Sequence, residues 1–423
     1  MFHVKTDHNM ILQLRIEVYK MVASDFGNGN VNGRSRGTDV SDATKMYRSA
    51  GENNLPTNRP LTFDLIDRLR YGENPHQQAG IYHVQPSVNI VDLQVVKSAK
   101  GGLSATNYMD AARGCNILKY FTAPSVAVMK HAIPSGFATQ HGDNTLDQIY
   151  VNARDADARS AFGSVVVLNR FVDKATAEAL AWTFVEVVVA PGYEEGTVDI
   201  LDLKKDLRVV SYDTLSHLPR FVDEGKNFYE IHDLPIGLTL IQQPFLTQIR
   251  GASNLITDPL VVKNGQKYVV DRDPTATEMN DLLTAWYVNI GTRSNGIVLV
   301  KDGVTLAVGS GQQERIGAVE QVITKALQKA CDRSRSDPSG PWTRGGMSWN
   351  EMYEHLGYNP LRGAVVSSDA FFPFSDSIEL LGSHGVRAII QPGGSVRDHE
   401  IIQEVNRRGM AMAYTLERCF GHF

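Results

Sequence analysis

The sequence predicts an α/β protein made of two tandem α/β units joined by a small linking subdomain, and three observations lead there. Short, nearly continuous β-branched runs end in Gly, Pro, Ser or Asn; amphipathic stretches of helical period separate them; and one strand signature occurs twice.

Taken in chain order, residues 25–60 are rich in Gly, Asn, Ser and Arg, as in FGNGNVNGRSRG. Such a composition buries little apolar surface and loses much entropy on ordering, so residues 1–60 are expected to form a mobile N-terminal extension. From Thr62 the pattern changes to the runs SVAVMKHA, SVVVLNR, VEVVVAPG, NGIVLV, AVVSSDAFF and VRAIIQPGG. Unbroken apolar runs of this length suit strands covered on both faces, as in parallel sheets. Residues 173–184, 275–289 and 318–333 read as the intervening helices. Ser160-Ala161-Phe162-Gly163 leads through a helix to a strand ending VVVAPG, and Ser368-Asp369-Ala370-Phe371-Phe372 leads to one ending AIIQPGG. This repeat places a first α/β unit at 61–222, a linker or small subdomain at 223–267 and a second α/β unit at 268–423. Chance likeness between two strands ended by Pro-Gly is the alternative.

A chain of 423 residues exceeds one ordinary core and allows a site between units. A net charge of −5 gives no reason to expect nucleic acid or a membrane surface as partner. The apolar run at 10–22 is broken by Arg15, Glu17 and Lys20, so neither a signal peptide nor a membrane span is expected. Cys115, Cys331 and Cys419 stand singly, with no metal-ligand spacing, which points to a reducing, cytoplasmic compartment and to no zinc.

The chemistry concentrates at strand ends. Lys130-His131 follows VAVM and precedes Ala132-Ile133-Pro134-Ser135-Gly136, whose Pro and Gly are expected to turn the chain. A histidine exchanges protons near neutral pH, and a neighbouring ammonium favours developing negative charge. An isolated Lys-His pair equally fits a surface lysine beside a core histidine. Arg70 and Tyr71 open RYGENPHQ and suit a phosphate clamp, with Arg418 a second candidate; a solvated turn and a surface arginine are the plain alternatives. Asn295 heads GIVLV, where its amide suits a developing oxyanion or simply caps a turn. Gly309-Ser310-Gly311 with Arg315, and Gln391-Pro392-Gly393-Gly394-Ser395 opening a helix at Val396, are candidate anion loops, though neither is a P-loop. Asp369 and Asp376 flank Phe371-Phe372-Pro373-Phe374, a ring cluster that suits a flat heteroaromatic ligand or a hydrophobic turn.

Together RYGENPHQ, the Leu103 to Arg113 motif LSxxNxxDAAR, KHAIPSG, DADARSAFG, EVVVAPGYEE, RSNGIVL, GSGQQERI, SSDAFFPF and QPGGSVRDHEII resemble, in order, the transformylase part of the bifunctional family that joins AICAR formyltransferase to IMP cyclohydrolase. The resemblance runs from about Phe63 to the C-terminus. It implies two tandem cytidine-deaminase-like α/β domains in a homodimer with shared active sites, and formyl transfer from 10-formyltetrahydrofolate to the 5-amine of the AICAR nucleotide. It implies His131 as proton acceptor, Lys130 assisting the leaving folate nitrogen or the oxyanion, and Asn295 stabilising the tetrahedral intermediate. Arg70, Tyr71 and Arg418 become nucleotide contacts, and Asn107, Phe162 and Gly163 line the AICAR pocket. Arg315, Phe372, Asp376, Gly394 and Ser395 fall on the folate side, and there is room for a monovalent cation. Ile133 and Ser135 replace the Asn and Cys of the usual KHANPCG, Ser164 replaces the second Gly of SAFGG, and Ala105-Thr106 replace Tyr-Asn. These departures bear on the pocket and the preferred formyl donor. The family's cyclohydrolase domain has no counterpart in the sequence, so a separate IMP cyclohydrolase is expected downstream.

Overall fold

In the computed structural model the described residues are 36–47, 60–85, 93–99, 101–225, 229–334 and 346–422. An 11-stranded sheet runs through them. Its edge strand β1 (Leu93–Lys97) is followed by α1 (Ala105–Leu118), the hairpin β2 (Ser125–Lys130) and β3 (Ile133–Thr139), α2 (Leu146–Ala156), α3 (Ala158–Ala161), β4 (Ser164–Leu168), α4 (Lys174–Ala181), β5 (Val185–Ala190), α5 (Thr197–Asp202) and β6 (Arg208–Tyr212). Further on come α6 (Ala276–Ile290), the hairpin β7 (Ile297–Lys301) and β8 (Val304–Gly309), α7 (Arg315–Arg333), α8 (Trp349–Leu356), β9 (Val365–Ser368), α9 (Asp376–Ser383), β10 (Ala388–Gln391), α10 (Asp398–Arg407) and β11 (Ala411–Tyr414). Across the sheet the order is β11-β10-β9-β7-β8-β3-β2-β4-β5-β6-β1.

The same pairing scheme occurs in both halves. β2 is antiparallel to β3 and β4, after which β4, β5 and β6 run parallel; β7 is antiparallel to β8 and β9, after which β9, β10 and β11 run parallel. The halves join where β3 meets β8 antiparallel at Ala138 and Val304. The runs SVAVMK and IVLVK therefore correct the expectation of parallel strands. Their unbroken apolar character comes from burial on both faces, which helices impose whatever the pairing sense.

Period-two alternation feeds two layers. Ala127, Met129, Val298 and Val300 enter a cluster with Ile117 and Leu118 of α1 and Leu282 and Trp286 of α6. Val126 and Val128 point oppositely, to Ile149 of α2, Leu180 of α4 and Leu201 of α5. Ile297 and Leu299 pack with Val322 of α7, Met352 of α8, Ile378 of α9 and Ile401 of α10. Caps set the helix starts. Asp173 accepts the Thr176 N–H at 2.7 Å at the head of α4, and Thr275 with Glu278 forms a capping box on α6, so both expected helices begin one residue after their caps. The helix expected from residue 318 starts earlier, at Arg315.

Residues from Thr38 onward form one compact unit; the unit before it lies almost wholly outside the described residues. The expected mobile extension does not hold for residues 38–47. Thr38–Asp39 pairs parallel with Pro259–Lys263, Thr38 Oγ1 donates to Asp258 at 2.7 Å, and Val40 is buried, so pairing and burial offset the entropy of ordering. The rest of that expectation, 1–35 and 48–59, lies outside the described residues. Within 223–267 are a hairpin, Glu230–Leu234 with Leu238–Gln242, and the strand Pro259–Lys263, which also pairs with Gln266–Val269. A further hairpin, Thr62–Leu69 with Ala79–Gln85, precedes β1. No helix among the described residues is long and apolar enough to cross a membrane.

Candidate active site

Lys130 closes β2 and pairs with Ile133, leaving His131 and Ala132 as a two-residue turn with φ of 56° and 61°. Left-handed backbone costs an L-residue roughly 1–2 kcal/mol, and hairpin turns that need two such residues usually take Asn-Gly. Pro134 and Gly136, expected to make this turn, lie inside β3. Pro134 faces Met129 where the register shifts, a place that tolerates a missing N–H. Gly136 is required by packing, because a Cβ there would stand 1.9 Å from the Ala153 carbonyl oxygen of α2.

Helix α1 stands against this turn. Asp110, 3% exposed, accepts the Ala132 N–H at 2.5 Å. Burial pushes its carboxyl pKa up, while the backbone N–H of Ala132 and the charges of His131 and Lys130 oppose the rise. One turn earlier Asn107 Nδ2 donates to Glu186 Oε2 of β5 at 3.2 Å. Lys130 Nζ donates to the carbonyls of Phe162 at 3.1 Å and Gly163 at 2.5 Å. Gly163 has φ 67°, and a Cβ on it would lie 3.1 Å from Lys130 Nζ and 3.3 Å from Glu186 Oε1, so the ammonium, the carboxylate and bare backbone converge. Phe162 is 68% exposed and tilts against Phe184 with ring centroids 4.8 Å apart, leaving an aromatic face open.

Lys130 and His131 open on a cavity of about 230 Å³ that reaches the seam between the halves and is also lined by Ile133, Ser135, Lys325 and Lys329. Lys329 pairs with Asp157 at 2.6 Å; burial lowers the Lys325 pKa, and its Nζ donates to the Val308 carbonyl at 2.9 Å.

Asn295 belongs to a second group. Its Nδ2 donates to the carbonyls of Gln312 at 2.8 Å and Gln313 at 3.1 Å, so both amide hydrogens brace the 310–313 loop instead of standing free for an oxyanion. Arg315, expected to meet a ligand anion, forms a buried ion pair with Asp369, which also takes the Ser294 hydroxyl and the Gly296 N–H. The Gly-rich loop at 391–395 is corrected in the same sense. The helix opens at Asp398, not Val396, and the Gly394 N–H donates to the Asp398 carboxylate at 2.7 Å, so the anion held is the protein's own. Ser395 Oγ accepts the Arg397 N–H at 3.1 Å, and burial raises the Asp398 pKa to about 6. Phe372 is fully buried in the core; Phe374 is the exposed ring of its loop, under the Arg397 guanidinium at 5.0 Å, and Asp376 lies exposed at the start of α9.

The candidate phosphate arginines are exposed, and Tyr71 is half-buried. Arg70 lies 5.6 Å over the Tyr71 ring at the end of the first hairpin, and Arg418 lies 4.7 Å over Phe420 next to Cys419, whose N–H donates to the Asp369 carbonyl. The fold thus gathers Asn107, Lys130, His131, Phe162 and Gly163, and groups Asn295, Arg315 and Arg418 around Asp369. Reasoning from sequence missed Asp110 and Glu186. Asp110 follows Asn107 at helical spacing, and Glu186 is the one polar residue in VEVVVA, so each left a readable signal. Among the described residues no group of three or more His, Cys, Asp or Glu is placed to hold a metal ion.

Residues 38–325 match the family described as AICARFT/IMPCHase bienzyme. The chain is 35% identical over 409 residues to a bifunctional purine biosynthesis protein PurH from Caldicellulosiruptor saccharolyticus, covering 93% of this chain and 69% of that protein. Proteins of the same name from Magnetococcus marinus and Acetivibrio thermocellus are 37% and 35% identical, with 87% and 91% of this chain and 62% and 65% of theirs covered. The chain spans about two thirds of the length of these relatives. With a family match over residues 38–325, more than half of the chain, and relatives at this identity, the chain belongs to the AICARFT/IMPCHase bienzyme family.

Proposed function

We propose that this chain transfers the formyl group of 10-formyltetrahydrofolate to the exocyclic 5-amine of the AICAR nucleotide, giving FAICAR and tetrahydrofolate. The observation that carries this reading is the His131 turn with Lys130, set beside Asn107 and the open ring of Phe162 in a chain of this family. The lone pair of that amine is delocalised into the imidazole carboxamide, so attack on the formyl carbon needs removal of a proton, which His131 accepts. The new N–C bond forms first, giving a tetrahedral carbon; its collapse breaks the bond to folate N10, which takes up a proton. Lys130 has three ammonium hydrogens and two carbonyl acceptors, which leaves one for the formyl oxygen as it gains charge.

Phe162 stacks the substrate ring over bare Gly163 backbone, and Asn107 orients it. Arg70, Tyr71 and Arg418 take the phosphate and ribose. Asn295, its amide hydrogens engaged, acts on the tetrahedral carbon through its carbonyl oxygen, toward the attacking amine. On the folate side, Asp376 and Phe374 supply surface while Arg315, Phe372, Gly394 and Ser395 form the shell behind them. A second copy of the chain completes the site in this reading, supported by the exposed apolar residues Phe63, Ile66 and Tyr82 of the first hairpin. A cytoplasmic setting suits the three free, buried thiols.

The test is turnover of AICAR by purified protein, with FAICAR and IMP resolved chromatographically and 10-formyltetrahydrofolate compared with formate plus ATP. Ile133 and Ser135, which depart from the family's Asn and Cys, line the cavity with His131, so the donor comparison probes the altered positions directly. His131→Ala is expected to lower kcat by about 10²–10⁴-fold while nucleotide affinity stays within about threefold. Undiminished turnover in that variant removes His131 as the base.

A further inference from the structure

His131 and Ala132 are poor residues for the turn they make. Both adopt left-handed backbone, with φ of 56° and 61°, although neither is Gly or Asn. Something outside the turn must hold it. The Asp110 carboxylate accepts the Ala132 N–H at 2.5 Å and is 3% exposed. Its position is itself fixed: α1 begins at a capping box in which Ser104 Oγ accepts the Asn107 N–H at 3.1 Å and Asn107 Oδ1 accepts the Ser104 N–H at 3.1 Å. A charge-assisted bond from a buried carboxylate on an anchored helix is a rigid support for a disfavoured turn.

We propose that Asp110 is a positioning residue of this site, its carboxylate holding the His131–Ala132 turn in the left-handed conformation that sets the direction of the His131 imidazole. This rests on the formyl-transfer reading only for its effect on turnover; the support of the turn stands independently of it. Asp110 does not touch substrate. It acts through the backbone N–H of Ala132, next to the residue that does; burial raises the carboxyl pKa, and that N–H bond opposes the rise.

The test uses Asp110→Ala, Asp110→Asn and Ala132→Gly, singly and with Ala132→Gly added to each Asp110 variant. Two readouts are taken: amide hydrogen exchange of the segment 129–136, and formyl-transfer kinetics with nucleotide affinity. Removing the acceptor is expected to speed exchange of the Ala132 amide at least tenfold. It also lowers kcat by about 10²-fold, as a misplaced base does, with nucleotide affinity within about threefold. Asp110→Asn keeps an acceptor oxygen and loses less. Glycine adopts positive φ without support, so Ala132→Gly in the Asp110→Ala background recovers about tenfold of the lost kcat, which relief of a general folding defect does not do. If Asp110→Ala does not fold, Asp110→Asn with and without Ala132→Gly gives the same comparison on a smaller scale. Unchanged exchange at Ala132, or a kcat loss matched by lost nucleotide binding and untouched by Ala132→Gly, overturns the proposal. Absence of formyl transfer in the unmodified protein overturns the functional reading instead, and exchange still decides the role of Asp110.

Discussion

Buried carboxylates set much of this molecule's behaviour at the scale of single residues. Glu417, next to the candidate phosphate ligand Arg418, accepts the Thr247 hydroxyl and the Gln248 N–H, yet desolvation raises its pKa from the ordinary 4.5 to about 7. A carboxyl with a raised folded pKa stabilises the protein below the unfolded value and loses that contribution as pH rises through the folded one. The contribution of Glu417 is therefore full below about pH 4.5 and gone above about pH 7. Glu417→Gln is expected to flatten unfolding free energy across that window, so denaturant titrations at pH 5 and pH 8 should show the unmodified protein losing more stability between them than the variant. Equal slopes would place the titration elsewhere. Asp369 and Asp398 show why site residues were only partly legible: Arg315 and Gly394 carry anion-binding signatures, and the sequence could not say that the anions belong to the protein itself.

Elements were easier to read than their connections. Each of the six apolar runs contains a strand and each of the three expected stretches a helix, because each signal is local: β-branched runs, caps and helical period. Pairing sense was not local, and β2 and β7 proved antiparallel on both sides. Gly136 illustrates the difference. In sequence it resembled a turn glycine after Pro134, whereas in the fold it lets α2 approach β3, since any Cβ would collide with the Ala153 carbonyl. Gly136→Ala is expected to cost about 2 kcal/mol or more by pushing α2 off the sheet. The same substitution at Gly142, which has φ 58° but open space around its Cβ position, costs only the backbone penalty, about 1 kcal/mol. Comparing the two by thermal unfolding separates collision from strain; equal losses would deny the packing role of Gly136.

On the scale of the whole molecule, the two recurrent halves are bound by sheet pairing at Ala138 and Val304 and by a polar clamp across the seam. Arg159 of α3 holds Asp332 of α7 with two hydrogen bonds of 2.6 Å, and Lys329 pairs with Asp157. The Asp332 side chain is 4% exposed, so removing its partner leaves a buried charge. Arg159→Ala is expected to lower unfolding free energy by about 2 kcal/mol, discounted because the arginine is itself partly solvated. Loss of the single cooperative transition in favour of two would show that the seam, more than the shared sheet, couples the halves.

By itself the sequence determined the α/β class, the positions of the strands and helices, the family resemblance and the Lys130-His131 pair, because local propensity and short motifs carry those. Only the tertiary structure decided that residues 38–47 join the folded unit and that Asn295 and Arg315 are spent on internal partners. It alone set Asp110 and Glu186 beside the Lys130 and His131 turn. Those outcomes depend on burial and on contacts between residues far apart in the chain, where desolvation and partner choice fix what a charged side chain does.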